Sequence, residues 1–506
     1  MYRQKHLFLV LSIVILSSVG VPARVEGADM SSVATLAKPS AGGSPWTASQ
    51  IATLQRRLTT LLARPPLRGT QIGFLAVDTV RKTTLFSRDA DTDFMPASNF
   101  KLLVGSAALQ QLGPSFSFTT RVAADTPIRG NALSGNLYLR GGGDAHLTAH
   151  DLDDAAAALA ALGLRRVDGA VVTDAAHDDD QRLGYGWSWD DLPYYYAPVV
   201  TALELEEGVV HVYMLPGAQA GAPVRLRVDP ASDAFTIADD AVTGPAKSKD
   251  TTDIVRPWNL PRTIELTGSY PLGSKESDDV EPSVPDPESY AGGVFMHALA
   301  AHGIAVTGAM RSGTTPAGAT TLWSHASEPM PHLLADFWYP SDNLMGELFL
   351  KELGVEQSGE PGTDDHGAAV ERRYLQSIGV DPSTVTIADG SGLSQYDRIT
   401  PRALVAILQA DWNGPSRDIV LNALPVTGVR GTLKDSYKGT PAERMVFAKT
   451  GSISHVRTIS GFVRTKSHGP VTFSLLFNQW MGEDAPHGPA DLAKLRGEIF
   501  SVIAQQ

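Results

Sequence analysis

Two rhythms of apolar and polar residues divide this chain. Near its start, Ile51, Leu54, Leu58, Leu61 and Leu62 recur at helical spacing behind Thr47, a residue suited to cap a helix. Residues 71–77 and 84–86 read as a strand pair, with Arg81-Lys82 in or near the turn between them. Val104, Ala107, Ala108 and Leu109 then form a small-residue and apolar run that ends at Gly113-Pro114, which predicts a buried helix from near Ser98 to near Leu112. At the far end, residues 445–449, 458–463 and 471–477 predict three strands, the last two turning at Ser467-His468-Gly469, and residues 492–503 predict a closing helix. Helix, strand pair, helix and then strands describe an α+β layer, an antiparallel sheet flanked by helices. It is built from both ends of the chain, over residues 50–117 and 286–506.

Between these ends the rhythm changes. Short apolar runs at 137–139, 170–173, 209–214 and 224–228 alternate with turn residues, and one helical pattern at 152–162 interrupts them. This predicts a β-rich region inserted at 118–285, divisible into two subdomains, with the acidic, proline-rich stretch 274–288 as its exit loop.

At 506 residues the chain is long enough for two or more domains, and 43% apolar with 19% charged residues is ordinary for a globular protein. Arg3, Lys5 and His6, followed by an apolar stretch at 7–19 and the small residues Ala23, Gly27 and Ala28, predict a secretory signal over residues 1–27. Residues 28–49, rich in Ala, Ser, Gly and Pro, then read as a flexible lead-in. Export is consistent with a chain that holds no cysteine, which also excludes disulfides, thiol catalysis and cysteine metal sites. Removing 1–27 takes away three basic residues and one acidic one, so the net charge of −13 becomes −15. An acidic chain with no basic run argues against nucleic acid or anionic lipid as partner.

Three short segments carry the chemistry. Ser98 and Lys101 lie about one helical turn apart, so both side chains share a face. A lysine drawn into an apolar helix loses hydration, its pKa falls, and it can take a proton from a serine nucleophile. Ser341 and Asn343, just ahead of the helical run Leu344, Leu348 and Phe349, can aim a hydroxyl and a carboxamide into one cleft. In Lys449-Thr450-Gly451-Ser452 the glycine admits a substrate backbone, the threonine offers a hydroxyl, and the lysine offers charge for a carboxylate. Each has a plainer explanation taken alone: an N-cap serine, a capping Asp342 or Asn343, an edge strand with a solubilising lysine.

Together and in this order, the three are the motif set of serine β-lactamases and penicillin-binding proteins. Ser341 follows Ser98 by 243 positions and Lys449 follows Ser341 by 108. The long first gap resembles the class C low-molecular-mass penicillin-binding proteins, the D-alanyl-D-alanine carboxypeptidase/endopeptidase family, which carry a large insert there. Gly141-Gly142-Gly143-Asp144, Asp389-Gly390-Ser391-Gly392-Leu393-Ser394, Leu424-Pro425-Val426 and Gly431-Thr432-Leu433 resemble the same family. Two positions depart from it: Asp144-Ala145-His146-Leu147 stands where Asp-Pro-Thr-Leu is more usual, and Ser452 where threonine is commoner.

The resemblance implies a serine β-lactamase-like catalytic domain and a secreted DD-peptidase, periplasmic or associated with the cell wall. Ser98 would be acylated by the penultimate D-alanine of peptidoglycan stem peptides, or by β-lactam antibiotics, with Lys101 as base. Ser341, Asn343, Lys449, Thr450, Gly451 and Ser452 would complete the site. The segment holding Trp187, Asp190 and Tyr195 resembles part of the pocket for the peptide side chain, Asp190 suiting a free amino group, and Arg398, four after Ser394, is a lesser candidate for a carboxylate on that side chain. No cofactor, metal or membrane span of the processed chain is implied. His146 and His150 stand four apart at metal-ligand spacing, but no third ligand is evident. The rivals are a β-lactamase or esterase on the same fold, and a non-catalytic wall-binding or penicillin-sensing protein. The large insert favours a peptidase, and a pure binder has no reason to keep both lysines.

Overall fold

A computed structural model describes residues 43–277, 280–483 and 485–506; the expected signal segment and the lead-in up to residue 42 lie outside the described residues. Five strands form the main sheet in the order Val446–Ile453, Val456–Val463, Val471–Asn478, Gln71–Asp78, Thr84–Arg88. Every neighbouring pair is antiparallel. The first strand therefore joins the last, Gln71 opposite Asn478 and Asp78 opposite Val471.

The alternation of side chains gives this sheet two unlike faces. Val446, Ala448, Ile459, Phe473 and Leu475 pack with the Ala48–Leu62 and Gly488–Ala504 helices. Phe447, Phe462 and Leu476 pack on the opposite face with the Lys101–Leu112 and Pro401–Asn413 helices. The Ala48–Leu62 helix begins in a reciprocal capping box between Thr47 and Gln50. Lys449 shares its strand face with Phe447 and so points to the Lys101 side.

A second core lies apart from these. A five-stranded sheet runs Arg311–Ser312, Val171–Asp174, Leu137–Arg140, Thr119–Ala124, Thr320–Ala326. Helices Ala149–Ala161 and Pro287–Ala301 pack on it through Leu152, Ala156, Tyr290 and Phe295. Three smaller sheets between His211 and Pro271 extend this body. The boundary differs from the expected one at residue 285. The Pro287–Ala301 helix is apolar on too much of its surface to stand against solvent, and it buries that surface in the second core. The Thr320–Ala326 strand then pairs with Thr119–Ala124, so this body runs on to Ala326. The expected exit loop is also partly paired, Val280 opposite Val212 and Ser283 opposite Val209.

Candidate active site

A short 3₁₀ turn, Ala97–Phe100, leads into the Lys101–Leu112 helix, which is buried from Lys101 through Leu109. Ser98 is half-buried at this junction, and Ala97 before it holds a φ of 47°, a left-handed geometry that costs a non-glycine residue energy. Lys101 Nζ lies 3.0 Å from Ser98 Oγ, 2.5 Å from Asn343 Oδ1 and 2.6 Å from the Ser391 carbonyl oxygen. Burial lowers the Lys101 pKa to about 8, against the pull of Asp389, Asp342, Glu347 and Asp397. A fraction on the order of a tenth is then neutral at pH 7, far more than for an exposed lysine.

Asp342 caps the Asn343–Ser358 helix by accepting from Met345 N at 3.1 Å, and Ser341 holds a φ of 73°. That sets Ser341 Oγ 2.7 Å from Lys449 Nζ, which also donates to the Thr450 carbonyl at 3.0 Å. The Lys449 pKa falls well below its ordinary value, first through burial and then through the Lys101 charge. Thr432 Oγ1 meets Thr450 Oγ1 at 2.7 Å, and Asn99 Nδ2 donates to the Lys449 carbonyl at 3.1 Å. Gly451 is required by space: a Cβ there would lie 2.3 Å from Thr458 Oγ1 and 2.9 Å from Ser98 N. The strand that carries Lys449 is thus pressed directly against the turn that carries Ser98. Ser452, next along that strand, is exposed at the edge of the cleft.

The residues beneath Lys101 carry no obvious catalytic signature in the sequence. Asp389 accepts from Ser391 N at 3.1 Å, Gly392 N at 2.6 Å, Ser394 N at 2.7 Å, Ser391 Oγ at 3.0 Å and Trp187 Nε1 at 2.8 Å. This hub bends the 389–394 loop so that the Ser391 carbonyl faces Lys101. Gly390 N donates to both Glu347 oxygens at 3.1 Å, and a Cβ on Gly390 would meet the Gly346 carbonyl oxygen at 2.1 Å. Burial, then the Asp389 charge, holds the Glu347 pKa well above the carboxylate range. The sequence signal for this hub is the Asp-Gly-Ser-Gly-Leu-Ser segment; nothing marks Glu347, a charged residue in an otherwise apolar helix turn, as its support.

The second body reaches the site twice. Asn343 Nδ2 donates to the Tyr196 carbonyl at 2.6 Å, and Trp187 bonds Asp389. Of the four expected rim residues, only Trp187 is tied into the catalytic core. Asp190 is exposed and accepts from Ser188 Oγ at 2.5 Å. Tyr195 is 59% exposed and packs edge-on to Tyr196 at 5.5 Å. Arg398 folds back on the Gln395 and Asp397 carbonyls, both at 2.7 Å. His455 bonds the Trp480 carbonyl at 3.2 Å, on the turn behind Lys449. His146 and His150 diverge: His150 is exposed beside Asp154, at 3.9 Å. Burial opposes protonation of His146, but Glu207, Asp342, Asp336 and Asp144 together raise its pKa.

The pattern of the D-Ala-D-Ala carboxypeptidase 3 (S13) family matches residues 54–497. The D-alanyl-D-alanine carboxypeptidase of Actinomadura sp. (strain R39) is 35% identical over 459 residues, 88% of this chain and 83% of that protein. D-alanyl-D-alanine carboxypeptidase DacB of Haemophilus influenzae is 24% identical over 424 residues, 82% of this chain and 87% of that protein. The crystal structure of penicillin binding protein 4 (dacB) from Haemophilus influenzae has the same fold, with a TM-score of 0.79 at 22% identity over 89% of this chain and 99% of that one. A pattern matched over this length, together with a relative more than one-third identical, leaves one assignment: the chain belongs to the D-Ala-D-Ala carboxypeptidase 3 (S13) family.

Proposed function

We propose that this D-Ala-D-Ala carboxypeptidase works through an acyl-enzyme on Ser98. The observation that carries the reading is the Lys101 amine, buried, its pKa lowered to about 8, and 3.0 Å from Ser98 Oγ. Neutral Lys101 takes the Ser98 proton as Oγ attacks the carbonyl carbon of the penultimate D-alanine. The backbone amides of Ser98 and Ser452 face the developing oxyanion; losing one such donor typically costs about 3 kcal/mol. Asn343 orients the substrate amide, and Ser341 passes a proton to the departing amine of the terminal D-alanine. Lys449 and Thr450 hold the terminal carboxylate. That carboxylate supplies the counterion that buried Lys449 lacks, so its arrival favours the charged lysine. Water then attacks the ester, returning Ser98 and releasing the shortened stem peptide.

The same serine accepts a β-lactam ring, since ring opening leaves an ester with no amine free to depart. Trp187, Asp190, Tyr195 and Arg398 would receive the side chain of the peptidoglycan stem. The reading places the protein outside the cytoplasm, periplasmic or at the wall. No helix among the described residues is long and apolar enough to cross a membrane.

The test is intact-protein mass spectrometry after brief exposure to benzylpenicillin, with Ser98→Ala alongside. A lasting adduct on the wild type and none on the variant is the expected result. Rapid hydrolysis of the drug with no lasting adduct would replace this reading with a β-lactamase, and neither adduct nor turnover would leave a binding protein.

A further inference from the structure

The sheet face turned away from Ser98 carries a second concavity. Helices Ala48–Leu62 and Gly488–Ala504 and the loop at 435–441 border an open cavity of about 1040 Å³. Arg56, Arg57, Arg64, Lys438, Lys494 and Arg496 line it, against two carboxylates, Asp435 and Glu498. Both carboxylates are already paired, Glu498 with Arg64 at 2.5 Å and Asp435 with Lys438 at 2.7 Å. Four positive charges remain in excess, on a protein whose net charge is −13. No run of basic residues announces this. The cations come from three separate stretches and meet only because the first and last helices pack side by side.

The wall of the cavity also holds two polar atoms without partners. The Tyr437 hydroxyl and Arg496 Nε are both shielded from solvent and make no hydrogen bond. Burial pushes the Tyr437 phenol pKa up while the Arg496 charge pulls it down, so the two groups sense each other. Tyr437 holds a φ of 59° and packs on Phe500 at 5.9 Å. A Cβ at Gly497 would come within 3.1 Å of the Tyr437 ring. A left-handed backbone and an unbonded buried hydroxyl each cost free energy.

We propose that this cavity binds a linear phosphate-bearing polymer. Guanidinium groups match phosphate oxygens in bidentate fashion, and three of the four excess charges can come from arginine. The four cations not paired with a carboxylate, Arg56 and Arg57 on the first helix and Lys494 and Arg496 on the last, line a space far larger than one phosphate and so suit successive ones. The site lies on the opposite sheet face from Lys449 and Ser98, so a bound polymer leaves the catalytic cleft open. Holding one wall component while cleaving another raises the effective concentration of the substrate. The proposal rests on the wall-peptidase reading only for the source of the polymer.

The experiment is fluorescence anisotropy of a labelled glycerol phosphate oligomer with the mature protein. Acylation by benzylpenicillin and thermal midpoint are measured on the same samples. Saturable binding is expected, falling about 50-fold between roughly 50 and 200 mM salt for four neutralised phosphates. The Arg57→Gln/Lys494→Gln double variant should lower that salt slope to about half, with acylation and midpoint unchanged. Arg402→Gln, at a distant ion pair with Asp91, should leave binding intact. Absence of binding at the lowest salt would overturn the proposal, as would indifference to the double variant. Equal competition by inorganic phosphate, phosphate for phosphate, would overturn the polymer and assign a free anion. Tighter binding of a single-stranded oligonucleotide of equal charge would overturn it in favour of nucleic acid. Acylation without binding sinks the site alone; binding without acylation sinks the peptidase reading alone.

Discussion

The floor of the cleft and its rim are built by opposite means. On the floor, Lys101 is fully buried and makes three hydrogen bonds, to Ser98, Asn343 and Ser391. Those partners are themselves fixed by the Asp389 hub and the Tyr196 carbonyl. Every group is held from several directions at once, which is what a proton transfer over 3 Å demands. On the rim, Asp190 and Tyr195 stand in solvent, and Arg398 bonds its own neighbours. The floor is held by its own hydrogen bonds, whereas the rim side chains are bonded only locally or left to solvent. Substitutions should therefore have graded effects, falling from floor to rim.

The largest effect belongs to Lys101. On the proposed mechanism, Lys101→Ala removes the base and should slow benzylpenicillin acylation by roughly 10³-fold or more, read by stopped-flow or by adduct mass. It also removes a buried cation from beside Asp342 and Asp389, so the circular dichroism melt must be checked alongside. A variant that folds and still acylates within tenfold of the wild type would break the distinction between floor and rim at its centre.

Asp389 sharpens the comparison, because it holds the loop that faces Lys101 rather than Lys101 itself. Its charge raises the Lys101 pKa, opposing the larger effect of burial. Acylation needs the neutral amine, so the rate should climb with pH and level off above about 8. Asp389→Asn removes a negative charge, Lys101 gives up its proton more readily, and the inflection moves to lower pH. Lost acceptor strength toward five donors should also cost stability, about 1–3 kcal/mol. A loss of stability with an unmoved inflection would reduce Asp389 to a structural brace.

Trp187 joins the two zones. Trp187→Phe keeps most of the ring and deletes one of the five hydrogen bonds to Asp389. The expected result is a loss of about 1.5 kcal/mol in urea unfolding, with acylation slowed no more than a few-fold. A collapse of activity would mean that the floor depends on the second body more than its other bonds imply.

The same contrast explains what could be read from the chain. The sheet, its flanking terminal helices and the Ser98 helix were legible from alternation, apolar runs and turn signals, and the first helix adds the Thr47–Gln50 capping box. Ser98, Lys101, Ser341, Asn343 and Lys449 stood out because chemistry restricts which residue types can serve at those spacings, and the fold gathers them within hydrogen-bond reach. The supporting shell was not. Glu347 and the Ser391 carbonyl act through burial and backbone direction, which leave no periodic trace. The reach of the second body to Ala326 was hidden for a related reason. Its deciding contact is a pairing between Thr320–Ala326 and Thr119–Ala124, some two hundred residues apart. The basic cavity, assembled from three distant stretches, was invisible in the same way.

The smallest expected effect lies at Asp190. It is exposed, and its one described side-chain bond is to Ser188. An ion pair between an exposed carboxylate and a substrate ammonium contributes at most about 1 kcal/mol, or roughly fivefold in affinity. Asp190→Asn should therefore raise KM by a few-fold for a D-Ala-D-Ala peptide whose side chain ends in a free amine. It should leave KM unchanged for the same peptide acetylated at that amine, and kcat unchanged for both. Steady-state kinetics on the matched pair separates the outcomes. Equal KM changes on both peptides would show that Asp190 shapes the loop rather than reads the charge. A fall in kcat would place it on the floor, and the graded picture would fail at the position where it predicts least.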